Sequence, residues 1–164
     1  MRYFIALIFG LFLSMGLLWA TPAQAGSSSL IRAYDDVKVE TKDFHGAKLQ
    51  EAEFANTALN GANFSDADLI GAVFNGCSLR GANFKNADFR TGIAYLSDFK
   101  GADLTNARIS EAMLLRSIFT DAIITGADFT DSVLDRDQLK ALCVRAEGVN
   151  PITGISTRDS LQCF

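Results

Sequence analysis

The chain has 164 residues, and its 15 Lys and Arg against 19 Asp and Glu give a formal net charge of −4. This mildly acidic balance argues against a nucleic-acid ligand, because affinity for the phosphate backbone comes from Lys and Arg. The single His, His45, excludes a His-containing catalytic triad and a multi-His metal site, and we interpret it as a solvated residue.

Residues 1–25 match the pattern of a secretory signal peptide. Arg2 supplies a positive charge, residues 3–20 form an apolar run, and Ala23-Gln24-Ala25 is a small-residue cleavage site. We therefore predict an exported chain that touches a membrane only through this segment during export. A retained membrane anchor is the alternative, since the apolar run is just long enough to span a bilayer.

Residues 26–41 are predicted to be an N-terminal lead-in and cap. Tyr34 and Val39 keep the five-residue phase of the segment that follows. Because a stacked solenoid needs a cover on its open end, we expect this stretch to form a degenerate first coil.

Residues 42–136 form the predicted central domain, in which one pattern recurs every five positions for nineteen units. Each unit has a large apolar centre, and a small residue, usually Ala, stands two positions earlier. The centres are Phe44, Leu49, Phe54, Leu59, Phe64, Leu69, Phe74, Leu79, Phe84, Phe89, Ala94, Phe99, Leu104, Ile109, Leu114, Phe119, Ile124, Phe129 and Leu134. At the small centre, Ala94, we expect a local bulge with Tyr95 or Leu96 adjusting to the void. This coil should be the softest, so Ala94→Leu should raise stability modestly.

A period of five excludes an α-helix, because at about 100° per residue successive centres would spread around the helix. It also excludes an uninterrupted strand, in which side chains alternate with a period of two. What remains is a short extended piece followed by a bend in every unit, with the bends closing into a coil. Gly or Asn two residues after many centres suits such a bend, because these residues tolerate turn dihedrals best.

The units resemble those of pentapeptide-repeat proteins, as in Ala67-Asp68-Leu69-Ile70-Gly71 and Ala102-Asp103-Leu104-Thr105-Asn106. The resemblance implies an all-β solenoid, specifically a right-handed quadrilateral β-helix with four units per coil. Residues twenty positions apart would then stack in ladders at about 4.8 Å. The large centres would fill the interior of the coil.

Residues 137–164 are predicted to form a small helical C-terminal cap. Asp135 and Gln138 have the spacing of a capping box. The apolar residues of the first cap helix share one face: Leu139, Leu142, Cys143 and Ala146. Gly148 is placed to end this helix, and Thr157 is placed to cap a short final one.

The tail from Leu142 to Asn150 resembles the C-terminal cap of thylakoid-lumen pentapeptide-repeat proteins from cyanobacteria and chloroplasts. This resemblance implies a thylakoid-lumen or periplasmic address. Because an exported chain meets oxidants, we predict a disulfide between Cys143 and Cys163, which lie in the same terminal segment. Cys77 should stay reduced, because it replaces an inward Ala more than three coils from Cys143.

Two carboxylates, Asp68 and Asp88, should be stacked neighbours, and oxygen ligands in such an arrangement suit Ca²⁺. Arg108 and Asp128 continue the same column, which favours charge balancing on a solvated face. We therefore predict no metal site, no cofactor and no catalytic residue.

One of the predicted faces is apolar. The twenty-residue period stacks Glu53, Val73, Ile93, Met113 and Val133 just before the centres of that face, whereas the other faces are largely polar. With its flanks, the candidate partner face comprises Val73, Ile93, Tyr95, Leu96, Met113, Leu115 and Val133. A monomer normally avoids such a stripe, so we expect another protein or a second copy to dock there. Two alternatives are that β-branched residues simply suit a strand wall, and that residues 30–39 fold back over the stripe.

The sequence thus favours a non-catalytic, extracytoplasmic solenoid that serves as a protein-interaction or structural module. Some relatives within the resembled family mimic DNA and bind topoisomerases, but export and the low charge count against that role here. A homo-oligomeric structural protein is a further alternative. An enzyme that uses outward carboxylates ranks last.

Overall fold

The computed structural model describes residues 34–35 and 42–163. The predicted signal peptide and most of the predicted lead-in lie outside the described residues. Within them the strands are β1 (Tyr34–Asp35), β2 (Glu53–Ala55), β3 (Val73–Asn75) and β4 (Ile93–Tyr95), and the helices are α1 (Arg136–Cys143) and α2 (Thr157–Ser160). In this part of the chain, no helix has the length and hydrophobicity of a membrane span.

The chain winds into a β-helix in which each coil takes twenty residues. The strands form one parallel sheet in the order β1-β2-β3-β4, and paired residues such as Phe54 and Phe74 are twenty positions apart. Isolated parallel bridges on three further sides keep the same spacing, as between Asn63 and Asn83. Four ladders therefore run along the molecule, and backbone hydrogen bonds join each coil to the next.

The interior is filled by the centres of the five-residue units. All centres from Phe54 to Phe129 are buried. Phenylalanines one coil apart stack face to face, with ring centroids 4.8 Å apart for Phe54 and Phe74. Rings on neighbouring sides meet edge to face, as Phe54 and Phe64 do at 6.0 Å. Burying one Phe or Leu contributes about 1.5–3 kcal/mol, so this stack of side chains holds the coils together.

Every bend uses the same left-handed backbone conformation. From Gly46 to Asp131, the residue two positions after each centre has a φ between +49° and +71°. Gly and Asn occupy many of these positions, as the sequence predicted. Others hold residues such as Glu111 and Arg116, for which this conformation is strained. The stacked backbone therefore imposes the bend even where the side chain disfavours it.

At the corner that follows β2, β3 and β4, polar residues take the buried position that Ala holds at most other corners. They are Thr57 and Ser97, and Ser117 continues the column. At other corners the small residue closes a turn with its N–H, as Ala62 does on the Leu59 carbonyl (3.0 Å). After β3, the Cys77 N–H instead donates to Ser97 Oγ (3.1 Å), and Ser97 Oγ donates to the Phe74 carbonyl (3.0 Å). A hydroxyl from the next coil thus replaces the turn hydrogen bond, which an Ala side chain cannot do.

The coil that contains Ala94 is regular, so the predicted bulge is wrong. Strand β4 pairs with β3 in register, with Ala94 opposite Phe74, and Leu96 is exposed. The space beside Ala94 is taken by Phe89, whose ring packs against Phe74 (centroids 5.7 Å apart) and would overlap a Cβ on Gly92. A large residue at 89 and small residues at 92 and 94 therefore form a matched set within one coil.

The C-terminal segment covers the last coil with side chains as well as backbone. Asn150 is fully buried and donates through Nδ2 to the Gly126 carbonyl (2.9 Å). Ser160 Oγ accepts the Phe129 N–H (3.0 Å). These side chains satisfy backbone groups that a further coil would otherwise bind.

The predicted capping box at the start of α1 is wrong. Asp135 precedes the helix, but its side chain makes no cap hydrogen bond. Its carboxylate instead accepts the N–H of Arg116, and Gln138 Oε1 accepts the N–H of Phe119. The last coil leaves these N–H groups without the partners that a further coil would supply, so they bind the side chains that the helix would have used.

Two other helix boundaries differ from the prediction. Ser156, not Thr157, caps α2 by accepting a backbone N–H of the first turn, whereas the Thr157 hydroxyl donates to the Ile124 carbonyl. Helix α1 ends at Cys143, well before Gly148. Gly148 has a φ of +81° and lies against the backbone of the last coil, where a Cβ would clash.

A disulfide joins Cys143, the last residue of α1, to Cys163, which follows α2; their Cα atoms are 5.6 Å apart. Cys77 is a free and buried thiol in the corner after β3. Burial raises the pKa of the Cys77 thiol above its ordinary value of 9.0, so the side chain stays neutral. The disulfide therefore constrains the C-terminal segment, while Cys77 acts as a packing residue.

Candidate partner-binding face

The residues of the predicted partner face lie together on one side of the β-helix. Parallel pairing places Glu53, Val73, Ile93, Met113 and Val133 in one ladder. From Val73 to Val133 this ladder presents an apolar side chain in every coil, over roughly 14 Å at a spacing of about 4.8 Å. The ladder and its flanking residues together form the apolar face, which consists of Val73, Ile93, Tyr95, Leu96, Met113, Leu115 and Val133.

The apolar face becomes more accessible toward the C-terminal end of the β-helix. Val73 is half-buried, whereas Ile93, Met113 and Val133 expose 37%, 44% and 48% of their surface. Leu96 exposes 52%. Consecutive coils therefore show a continuous apolar surface to solvent, which is unusual for a protein that acts alone.

Leu96 lies at a bend, with a φ of +56°. The same position holds Asn56 and Gly76 in the two preceding coils, and these residues tolerate such a φ. A Leu in this conformation costs about 1 kcal/mol, and here its side chain is not buried in return. The stacked backbone imposes this φ on Leu96, as it does on Glu111 and Arg116, and leaves an apolar side chain in solvent at the edge of the face.

Tyr95 and Leu115 flank the ladder on the same side as Leu96. Tyr95 is half-buried and carries the Arg116 guanidinium over its ring, 5.8 Å from the ring centroid. Tyr95 therefore does not turn into the interior beside Ala94, contrary to the prediction. The ring and guanidinium contact holds the Arg116 charge at this edge of the apolar face.

Charged side chains stand at both edges of the apolar face. Glu111 and Asp131 occupy the bends just before Met113 and Val133, and Arg116 occupies a bend on the opposite edge. All three are exposed, and none forms an ion pair within residues 34–35 and 42–163. Apolar side chains therefore lie between an edge with Glu111 and Asp131, near Arg90, and an edge with Arg116, whose backbone N–H binds the Asp135 carboxylate.

The C-terminal end of the apolar face opens into a groove of about 350 Å³ between the last coil and the helices. Its apolar lining comes from Phe129, Val133, Leu134, Leu139 and Leu161. Val133 belongs to both surfaces, so the groove extends the apolar face beyond the ladder. The groove could not be predicted from the sequence, because its residues meet only when the C-terminal segment folds back on the last coil.

On a second side of the β-helix, polar side chains bind each other. Asn63 Nδ2 donates to Asp43 Oδ1 (3.0 Å), and Asn83 Nδ2 donates to Asn63 Oδ1 (3.2 Å). His45 is exposed on this side, with Nδ1 at hydrogen-bond distance (3.0 Å) from Ser65 Oγ. These groups have partners within the chain, so the side does not require an external ligand.

On a third side, the carboxylates that the sequence predicted to stack are bridged neighbours with partners of their own. Asp68 accepts a hydrogen bond from Gln50, and Asp88 is paired with Arg90 (2.8 Å) and Arg108 (2.6 Å). The hydrogen bonds that Arg90 donates to the Asp88 carboxylate raise the pKa of Arg90. Among the described residues, no group of three or more His, Cys, Asp or Glu is arranged to hold a metal ion. This column therefore balances charge along the wall of the coil, although Asp88 and Asp128 are buried and the predicted solvated face is wrong for them.

Five exposed large apolar residues of the described chain lie off the apolar face: Val144, Val149 and Ile152 in the C-terminal segment, and Ile118 and Ile123 on the coil wall. Ile118 and Ile123 expose 45% and 50% of their surface, on sides that the sequence predicted to be largely polar. The ladder residues one coil below them are Asp98 and Asp103. They are therefore isolated side chains and do not extend a stripe.

Comparison with known families finds one match. The family model described as pentapeptide repeats matches residues 43–76, 57–91 and 97–136, with eight copies of the repeat. No curated protein sequence matches the chain significantly.

Solved structures with a similar backbone include the pentapeptide repeat protein Rfr23 of the cyanobacterium Cyanothece 51142. It is 21% identical over 57% of this chain, with a TM-score of 0.56, so the two proteins share a fold. The chain spans 64% of that protein, slightly less than two thirds of its length.

Two other solved structures are similar in sequence, with lower structural scores. A pentapeptide repeat protein from the Arabidopsis thaliana thylakoid lumen is 35% identical over 74% of this chain and 88% of its own, with a TM-score of 0.35. HetL, which is involved in heterocyst differentiation regulation in the cyanobacterium Nostoc sp. strain PCC 7120, is 26% identical over 57% of this chain and 41% of its own, with a TM-score of 0.38.

Proposed function

The chain belongs to the pentapeptide-repeat family, and from this premise we propose that it acts outside the cytoplasm as a non-catalytic solenoid whose apolar face binds another protein. The proposal comprises a signal peptide over residues 1–25, a lead-in over 26–41, a right-handed quadrilateral β-helix over 42–136 and a helical cap over 137–164. It involves no cofactor and no nucleic acid.

Two features support export to the thylakoid lumen or the periplasm. Residues 1–25 combine Arg2, an apolar run and a small-residue cleavage site, as secretory signals do. The disulfide between Cys143 and Cys163 suits an oxidising compartment, whereas cytosolic thiols are kept reduced.

The observation that carries the proposal is the difference between the faces. Elsewhere on the coil wall, Asn63, Asn83 and Asp88 bind their own neighbours along the ladder. On the apolar face, Ile93 and Met113 are exposed one above the other, beside charged groups that form no ion pair within the described residues. An apolar centre with a charged rim is the composition of a protein-binding surface.

The same contacts count against a DNA mimic, which has to present unneutralised negative charge. Asp88 is paired with Arg90 and Arg108, and Asp98 is paired with Arg80. These carboxylates are therefore compensated within the chain and provide only a weak negative field.

The proposal is tested by capture of partners from the native compartment with the exported chain as bait. The double variant Ile93→Ser, Met113→Ser should lose the captured protein, because it removes the middle of the apolar face. The matched control is Ile118→Ser, Ile123→Ser, which makes the same type of change at similarly exposed residues off the face.

Circular dichroism and thermal melting have to show that both variants keep the fold. Capture that persists in the Ile93→Ser, Met113→Ser variant, or that is lost equally in the control, would mean that the partner binds elsewhere. A catalytic activity retained in both variants would contradict the non-catalytic part of the proposal.

A further inference from the structure

We propose that a second copy of this chain occupies the apolar face, docked about a two-fold axis parallel to the axis of the β-helix. This rests on the proposed function, in that it assigns a partner to the same face. The evidence is the arrangement of charge across the face, together with the apolar ladder between the charged edges.

The two edges of the apolar face carry opposite charge within a single coil. Glu111 and Arg116 are five residues apart, so they stand at almost the same height on the β-helix, on opposite sides of Met113. Asp131 repeats the negative charge one coil above Glu111. None of these three groups has an ion-pair partner within the described residues.

This arrangement is complementary to itself in one orientation only. A two-fold axis parallel to the β-helix keeps the height of each residue and exchanges left for right, so Glu111 of each copy faces Arg116 of the other. An axis across the face would turn one copy upside down and bring acidic edge against acidic edge. Like charges in contact are unfavourable, so charge selects the parallel arrangement.

The apolar ladder fits the same axis. Val73, Ile93, Met113 and Val133 lie between the charged edges, so each would meet its own counterpart in the second copy. Leu96, which is 52% exposed, would leave solvent at the rim of the contact. Glu111 of each copy would contact Arg116 of the other, so one such contact would flank the apolar ladder on each side.

The size of the face determines the expected strength. An area of roughly 14 Å by about 16 Å, from three ladder spacings and five extended residues, is far below the ~800 Å² per partner of a standard interface. We therefore expect a weak, reversible dimer, detectable at high protein concentration.

Charge reversal provides the test, with sedimentation equilibrium of the exported chain up to roughly millimolar concentration. Glu111→Arg and Arg116→Glu should each weaken self-association about tenfold or more, because each turns two attractive contacts into two repulsive ones. The double reversal E111R/R116E should restore it. An equimolar mixture of the two single variants should also associate, since each unlike pair regains both contacts.

The matched control is Asp121→Arg, an exposed bend residue on another side with the same change in charge and a similar φ. It should leave self-association unchanged. Circular dichroism checks the fold of every variant. Wild-type protein that stays monomeric throughout, an equal loss in the control, or no recovery in the double reversal would each overturn the dimer.

Failure of the dimer and failure of the proposed function are distinguishable. Capture of a different protein that depends on Ile93 and Met113, with a monomeric wild type, would refute the second copy and leave the docking face in place. Self-association that survives Ile93→Ser, Met113→Ser would show that two copies meet elsewhere and would refute the dimer, whereas the proposed function fails only if capture also survives this variant.

Discussion

Replacing Ser97 by Ala removes a hydroxyl that connects its own coil to the coil below, at the corner after β3 and β4. Ser97 Oγ accepts the Cys77 N–H (3.1 Å) from the coil below and donates to the Phe74 carbonyl (3.0 Å). Its own N–H donates to Ser117 Oγ (3.0 Å) in the coil above. Ala would keep this last bond and lose the other two.

The expected loss of stability follows from burial. Ser97 and Cys77 are 1% and 2% exposed, so water cannot replace the lost acceptor of the Cys77 N–H. An unsatisfied buried donor costs about 1–3 kcal/mol, and the hydrogen bond to Phe74 adds about 0.5–1.5 kcal/mol. We expect Ser97→Ala to lower the free energy of unfolding by about 2–3 kcal/mol, or roughly 6–12 °C in melting temperature for a domain of this size.

Urea denaturation and thermal melting of the variant measure this loss, with Ser132→Ala as the matched control. Ser132 Oγ also donates to a carbonyl, that of Ile109 (2.5 Å), but the Ser132 N–H keeps its turn bond to Phe129 (2.9 Å). The control should therefore lose about 1 kcal/mol or less.

Cys77→Ser provides a second comparison and should be close to neutral, because a hydroxyl can make the bond that the Cys77 thiol makes to the Phe54 carbonyl (3.3 Å). A Ser97→Ala variant as stable as Ser132→Ala would refute the reasoning. It would mean that the hydrogen bond from the Cys77 N–H to Ser97 Oγ does not replace the turn hydrogen bond that Cys77 lacks.

Ala94→Leu should lower the free energy of unfolding by about 2 kcal/mol or more, the opposite of the expectation from sequence, because Phe89 already fills the space. Adding Phe89→Leu should recover most of this loss, as measured by urea denaturation. A single variant as stable as wild type would show an unfilled gap. Thiol titration of denatured, unreduced protein should find one free thiol, Cys77, because Cys143 and Cys163 are paired; three thiols would contradict the disulfide. In native protein Cys77 should resist the reagent, because burial raises its pKa and the thiolate is the reactive form.

The repeat could be predicted from the sequence because its cause is local. A bend that needs a left-handed φ recurs every five residues, and a large side chain points inward between bends, as Gly71 and Phe74 illustrate. The twenty-residue register came with the family resemblance, and the pairing of Val73 with Ile93 agrees with it. The family prediction is confirmed by the match to the pentapeptide-repeat model.

The departures from prediction arise where distant residues compete for one space or one hydrogen bond. Phe89 fills the gap at Ala94 from a different corner of the coil, which a column-by-column comparison of centres does not detect. The Asp135 carboxylate accepts the Arg116 N–H instead of capping its own helix, because no further coil lies above Arg116 to accept that N–H. Both effects depend on tertiary contacts that local sequence patterns do not encode.

The partner face was the prediction for which sequence gave the least physical detail. The ladder from Val73 to Val133 follows from the twenty-residue register that the family resemblance implies, whereas exposure, the strain at Leu96 and the groove beside Val133 depend on the folded chain. The identity of a partner depends on complementarity to another molecule, and no property of this chain alone determines it.

Oxidation of Met113 tests most directly whether the apolar face is used for binding. The chain has three methionines, and Met1 and Met15 lie in the predicted signal peptide, so Met113 is the single methionine expected in the exported form. Hydroxyl-radical footprinting followed by mass spectrometry would then report on one site in the middle of the face. We predict rapid oxidation in dilute purified protein, where the side chain is 44% exposed, and strong protection in the intact native compartment. Equal oxidation in both settings, or protection already in the dilute protein, would contradict a free face that a partner covers.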